Sequence, residues 1–165
     1  METDFFYLDL ALKEAEQAAQ EGTYPIGALV VSADGLILGR GHNRVYSIGN
    51  YTAHAEIEAL RNAGPALMAS SYQGTCTLYT SLEPCLMCTG ALLLSRIARV
   101  VWAANDLEYG ALHTLYHGGL YPPLFAPLLL TETPEPVLAT RASALMQQWI
   151  ASPKEQKAFW TTKPL

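Results

Sequence analysis

The order of apolar and polar positions divides the chain into alternating helical and extended stretches. Asp4 to Glu21 has helical spacing, opens among acidic residues and stops at Gly22, so it predicts a first helix. Pro25 to Val31 and Leu36 to Gly41 are short apolar runs flanking Ala33-Asp34-Gly35, a hairpin signal. A polar loop around Asn43 to Tyr51 comes next, followed by a helix over His54 to Asn62 that Gly64-Pro65 is expected to end. Cys76 to Thr80 alternates like a strand, Leu86 to Ser95 is helical, and Ala98 to Ala104 is extended. Asn105 to Tyr121 has no convincing period. Beyond it, Leu128 to Thr131 predicts a short strand and Ala139 to Ala151 an amphipathic helix.

Strands and helices in this order describe a mixed sheet between helices. There is no internal repeat and no low-complexity segment. With 165 residues and 18.0 kDa, the expectation is one domain over residues 1–165.

Composition narrows the class. Half of the residues are hydrophobic and only 15% are charged, against a usual figure of about 25%, which excludes general disorder. The surplus apolar surface is most simply covered by a partner subunit. No run of 18 apolar residues occurs, since Arg96 and Arg99 interrupt the longest one, so no membrane span is expected. Glu2, Asp4 and Asp9 stand where a signal peptide would be basic, which predicts a soluble, cytoplasmic protein.

Charge adds a second constraint. The net charge of −5 argues against a nucleic-acid footprint over the whole surface. Thr140 to the C-terminus nevertheless carries +3, from Arg141, Lys154, Lys157 and Lys163 against Glu155. No Lys or Arg lies between Arg99 and Arg141.

Three cysteines, Cys76, Cys85 and Cys88, are too few for a disulfide framework and point to a reduced compartment and a metal or redox role. Alone, Cys85-x-x-Cys88 could be a redox pair, half of a structural zinc knuckle or two packed thiols. His54-Ala55-Glu56 precedes Pro84-Cys85-Leu86-Met87-Cys88 by about thirty residues, and each half opens a predicted helix. Two thiolates and an imidazole make three Zn²⁺ ligands and leave the fourth tetrahedral position to water, the arrangement of a catalytic site. Two helix N-termini aimed at one point add partial positive charge there. Pro84 also suits a helix start, where its missing N–H is not needed.

Glu56 is the third element, a carboxylate able to take a proton from water and return it to a substrate. Positions two apart on an ideal helix point about 200° from each other, so His54 and Glu56 converge only if His54 lies at the irregular start of its helix or if substrate and zinc approach from the helix end. The first is the expected arrangement. Together the two halves match the pattern H-x-E…P-C-x-x-C of zinc deaminases.

From about Tyr24 to Ala104 the chain resembles the CMP/dCMP-type zinc deaminase branch of the cytidine-deaminase-like superfamily. The likeness rests on Pro25-Ile26-Gly27-Ala28, Gly39-Arg40-Gly41-His42-Asn43, Thr52-Ala53-His54-Ala55-Glu56, Leu78 to Cys85 and Met87-Cys88-Thr89-Gly90-Ala91. It implies a three-layer α/β/α sandwich with a mixed five-stranded sheet, a homodimer, and Zn²⁺ held by His54, Cys85 and Cys88. Glu56 would shuttle protons and Asn43 would hydrogen-bond the base. The N–H groups of Ala55 and Cys85 would hold the ring, and a carbonyl near Leu82 would receive the leaving amine.

Guanine deaminases, cytosine deaminases and tRNA adenosine deaminases all share parts of these motifs. Departures occur at Asn50-Tyr51, where relatives carry Asp-Pro, and in the acidic loop Asn105 to Gly110. Tyr109, Tyr116 and Tyr121 could stack on a base or pack between subunits. Trp160, with Phe159, could form an aromatic lid or an interface. The expectation is a zinc-dependent hydrolytic deaminase of a small nucleobase or nucleoside, of guanine or cytosine type. The alternative is a tRNA-specific adenosine deaminase, which the charge distribution disfavours, and a lesser one is a non-catalytic zinc scaffold.

Overall fold

The computed structural model describes residues 2–119, 128–132 and 135–153. Its elements are α1 (Glu2–Gln20), β1 (Gly27–Val31), β2 (Ile37–His42), α2 (Val45–Ile48), α3 (Ala55–Leu67) and β3 (Thr77–Leu82). They continue with α4 (Leu86–Leu94), β4 (Arg99–Ala104), α5 (Leu112–His117), β5 (Leu129–Thr131) and α6 (Pro136–Ala151). The five strands lie in the order β2-β1-β3-β4-β5. β1 is antiparallel to β2 and β3, while β3, β4 and β5 run parallel, so the sheet is mixed as expected.

Alternation along the strands splits the core into two layers. Ala28, Val30, Leu78, Val100 and Trp102 pack with Ala55, Ala59, Leu60 and Ala63 of α3 and Leu92 of α4. Leu29, Val31, Tyr79, Val101 and Ala103 pack instead with Leu8, Ala11 and Leu12 of α1 and with Leu138 and Ala142 of α6. The result is the three-layer α/β/α sandwich. Every residue of β1 is buried, as a strand covered on both faces must be.

Glycines in β2 set how close α3 comes. A Cβ on Gly39 would lie 2.3 Å from the Ala59 carbonyl oxygen, and one on Gly41 would lie 2.3 Å from that of Ala55. Only glycine at both positions lets the alanine-rich face of α3 rest on the strand. That contact fixes the start of α3, where His54 stands.

Three expectations are corrected. α3 continues through Gly64 and Pro65 to Leu67 instead of ending at the Gly-Pro pair. Pro65 removes a bond to the carbonyl of exposed Arg61, which water can satisfy, and buried Leu67 draws the last turn onto the core. Short helices also occur within the polar loop (α2) and in the stretch without a period (α5), each too brief to show a repeat. Lastly, Pro84 precedes the N-cap of α4 and lies outside the helix.

Among the described residues, no helix is long and apolar enough to cross a membrane.

Candidate active site

Four chain segments meet at one end of the sheet. The C-terminal ends of β2, β3 and β4 point there, and the antiparallel β1 brings its N-terminal end to the same place. Open α/β sheets bind ligands outside the carboxyl ends of their strands for this reason.

His54 is the N-cap of α3 and Cys85 the N-cap of α4; both have extended backbones, with φ/ψ of −74°/154° and −71°/174°. Neither side chain caps its own helix. Each N-cap carbonyl instead accepts the first helical bond, from the N–H of Glu58 at 2.9 Å and of Thr89 at 2.8 Å. The side chains are thereby released toward each other. With His54 outside the helix, its opposition to Glu56 disappears, which is the arrangement expected.

His54 Nδ1 lies 3.7 Å from Cys85 Sγ and 3.6 Å from Cys88 Sγ. The three ligand atoms all fall within 4.8 Å of one another. Zinc bonds of about 2.3 Å to sulfur and about 2.0 Å to nitrogen, at tetrahedral angles, set an S···N edge of about 3.5 Å. The donor set therefore fits a zinc ion, with one coordination position left over. Without metal, a hydrogen bond from Cys88 holds the Cys85 thiol down to about 4, and the same bond keeps the proton on Cys88, whose pKa is raised. The bond with Cys85 also raises the His54 pKa.

Glu56 is only 3% exposed. Cys88 Sγ also lies 3.4 Å from its Oε2. Burial pushes its carboxyl up to about 7, with its own backbone N–H and His54 pulling the other way. A carboxyl poised near neutrality beside a metal-ligand set can both accept and return a proton.

Asn43 is fully buried just beyond β2. The neighbouring Arg44 N–H donates to the Ala53 carbonyl at 2.8 Å, which ties this turn to the residue before His54. Asn43 Oδ1 accepts the Thr23 hydroxyl at 2.7 Å and the Val45 N–H at 3.0 Å. Its Nδ2, by contrast, has no partner among the described residues. Two free amide donors in a buried position favour a ligand that brings an acceptor.

The structure also places the remaining predicted residues. Ala55 is the buried first residue of α3, and Leu82 ends β3. Tyr109 is exposed on the loop after β4, which Gly110 pins beside Cys85 through an isolated bridge. Trp160 lies outside the described residues.

Sequence reasoning missed Thr23 and Glu83. The buried Glu83 carboxylate accepts the His113 N–H at 3.1 Å, while the Pro84 carbonyl accepts those of Ala111 and Leu112, so α5 is anchored against the Cys85 turn. Neither residue carries a local signal, because the partners lie 20 to 30 positions away.

Comparison with known proteins agrees with this geometry. The family described as the cytidine and deoxycytidylate deaminase zinc-binding region matches residues 1–104. A tRNA-specific adenosine deaminase of Aquifex aeolicus is 39% identical over 112 residues, covering 68% of this chain and 73% of that one. A cytosine deaminase of Candida albicans is 44% identical over 98 residues, 59% of this chain and 64% of its own. Among solved structures, a tRNA:A34 deaminase that edits A to I at the wobble position has a TM-score of 0.73 at 30% identity, covering 86% of this chain and 99% of that one. A guanine deaminase from Nitrosomonas europaea has a TM-score of 0.69 at 27% identity, covering 88% of this chain and 84% of its own.

Proposed function

We propose, for a chain that belongs to the cytidine and deoxycytidylate deaminase zinc-binding family and is a zinc-type hydrolytic deaminase, that its substrate is a small nucleobase or nucleoside of the guanine or cytosine kind. The observation that carries the chemistry is buried Glu56 against the His54, Cys85 and Cys88 set. The substrate's exocyclic amine leaves as ammonia and the ring carbon gains the oxygen of water.

His54, Cys85 and Cys88 would hold the zinc. When bound, zinc supplies Lewis acidity that makes water a nucleophile at neutral pH. Glu56 accepts a proton from that water and delivers it to the leaving amine. Its raised pKa places both directions of transfer within reach. Asn43 Nδ2 donates to an acceptor on the ring, which fixes the base against in-plane rotation. The backbone N–H groups of Ala55, which opens α3, and of Cys85, the N-cap of α4, hold the ring. A carbonyl at Leu82 takes the amine as it departs. Tyr109, exposed on the loop after β4, is assigned to stack on the base.

Charge favours a small substrate. Among the described residues, Arg40, Arg44, Arg61, Arg99 and Arg141 pair with Asp or Glu side chains, which leaves few cations there for phosphates. One specific observation supports a second reading, tRNA adenosine deamination: the likeness to the Aquifex aeolicus enzyme and to the wobble-editing structure.

A homodimer also belongs to this reading. α4 carries no charged residue, and a helix apolar on all sides belongs in an interior. Its Leu86 and Leu94 are 66% and 85% exposed. A second copy over this face buries them, and Leu94→Glu should convert a dimer to a monomer in light scattering.

The substrate is tested by ammonia release from the zinc-loaded chain with guanine, cytosine, their nucleosides, adenosine and a tRNA bearing an anticodon adenosine. Turnover of a free base or nucleoside is expected. Activity confined to the tRNA would overturn the small-substrate reading.

A further inference from the structure

Thr23 and Asn43 are 20 residues apart, and both are fully buried. The Thr23 hydroxyl donates to Asn43 Oδ1 at 2.7 Å, and its oxygen accepts the Tyr46 N–H at 3.3 Å. Both hydroxyl roles are therefore assigned. The second lone pair of Asn43 Oδ1 is taken by the Val45 N–H at 3.0 Å. A flipped amide would face its NH₂ toward the Val45 donor, so the oxygen has to stay where it is. The backbone N–H of Asn43 is occupied as well, by the Ile26 carbonyl at 2.9 Å. What remains is Nδ2, buried and with no partner among the described residues.

We propose that Thr23 is a positioning residue that locks the Asn43 amide so that only donors face the substrate. The base must then present an acceptor there, a ring carbonyl or a ring nitrogen lone pair. A base that offers an amine or a ring N–H at that position brings two donors together and is rejected. The inference rests on the reading above, in which Asn43 contacts the substrate. It adds that this contact has a fixed polarity and that Thr23 helps to fix it.

Thr23 suits the task because its methyl group restricts χ1, which keeps the hydroxyl aimed. The Tyr46 N–H, held on the far side of the same oxygen, stops it from turning away. Tyr46 itself is braced: its ring stacks 5.3 Å from that of Tyr24, which in turn lies 4.2 Å from Trp149 of α6. The contact chain thus runs from the C-terminal helix to the amide.

The test compares Thr23→Val, Thr23→Ser and Asn43→Asp in the zinc-loaded full chain, with guanine and cytosine as substrates. Thr23→Val should raise KM about tenfold, the effect of one lost hydrogen bond, and change kcat much less. Thr23→Ser should restore KM. Asn43→Asp keeps both acceptor contacts but loses the donors, and should impair KM more than Thr23→Val. Thr23→Ala is the second variant should valine not be accommodated.

A readout independent of turnover is side-chain NMR. The two Asn43 amide protons should exchange slowly in the wild type, faster in Thr23→Val, and slowly again in Thr23→Ser. Unchanged KM and unchanged exchange in Thr23→Val, or a serine variant as impaired as valine, would overturn the proposal. Silence of the wild type on both bases would instead count against the substrate reading, with the exchange rates still deciding the role of Thr23.

Discussion

The two faces of the sheet are built by the same alternation of side chains, yet they treat buried polar groups in opposite ways. On the face covered by α1 and α6, partly buried charges are paired. Arg99 makes a bidentate contact with Asp4 at 2.8 Å on each oxygen, and the Tyr79 hydroxyl donates to the same carboxylate at 2.8 Å. Arg141 of α6 bridges Asp9 and Glu16 of α1. On the face covered by α3 and α4, Glu56 is buried beside two thiols, and Asn43 keeps two donors unused among the described residues. Paired groups stabilise a fold, whereas unpaired ones are tolerated where a ligand completes them.

The largest effect should come from removing the metal set. Cys88→Ser, or a chelator on the wild type, is expected to abolish deamination and bound zinc together, read by activity and metal analysis. Loading should also release protons, because the Cys88 pKa is raised in the metal-free site and the residue binds zinc as its thiolate. Zinc affinity then rises with pH, about tenfold per unit for each proton released. Calorimetry in buffers of different ionisation enthalpy counts those protons.

On the paired face the expected response is in stability. Arg99→Ala should lower the unfolding free energy by about 2 kcal/mol, the scale of a hydrogen bond to a charged group, while leaving KM near wild type. The Arg99 guanidinium holds the Asp4 carboxyl below its ordinary 3.8. Its contribution is therefore present above pH 3.8 and is lost as pH falls through the lowered value. Urea melts at pH 5 and pH 3 should differ less in Arg99→Ala than in the wild type. The smallest effect is expected at Arg61, an exposed partner of Glu58 on α3, where alanine should change stability by less than about 1 kcal/mol.

Much of this was legible in the sequence because it is local. A metal-ligand residue at each helix start, a polar stop at Gly22 and the hairpin at Ala33-Asp34-Gly35 involve residues within a few positions of each other. Helix geometry left two ways for His54 and Glu56 to converge, and the expected one, His54 at the helix entry, is the one found. The Gly64-Pro65 stop misled because burial of Leu67 outweighs one bond lost at an exposed carbonyl. The short helices α2 and α5 are set by contacts outside themselves: the Glu83 carboxylate takes an N–H at the start of α5, and Tyr46 of α2 bonds Thr23. Thr23 was invisible for the same reason, since only the fold brings it to Asn43. Trp160, read as either an aromatic lid or an interface residue, lies outside the described residues.

In the proposed mechanism Glu56 moves the proton at a zinc site built from two helix starts. Glu56→Gln keeps the shape and removes the titrating group, so it is the direct test. Zinc content and ammonia release are measured together on the wild type and the variant, with whichever base the wild type deaminates. Equal zinc and a loss in kcat of about 10²–10⁴ are expected. A zinc-loaded glutamine variant with undiminished turnover would contradict that mechanism.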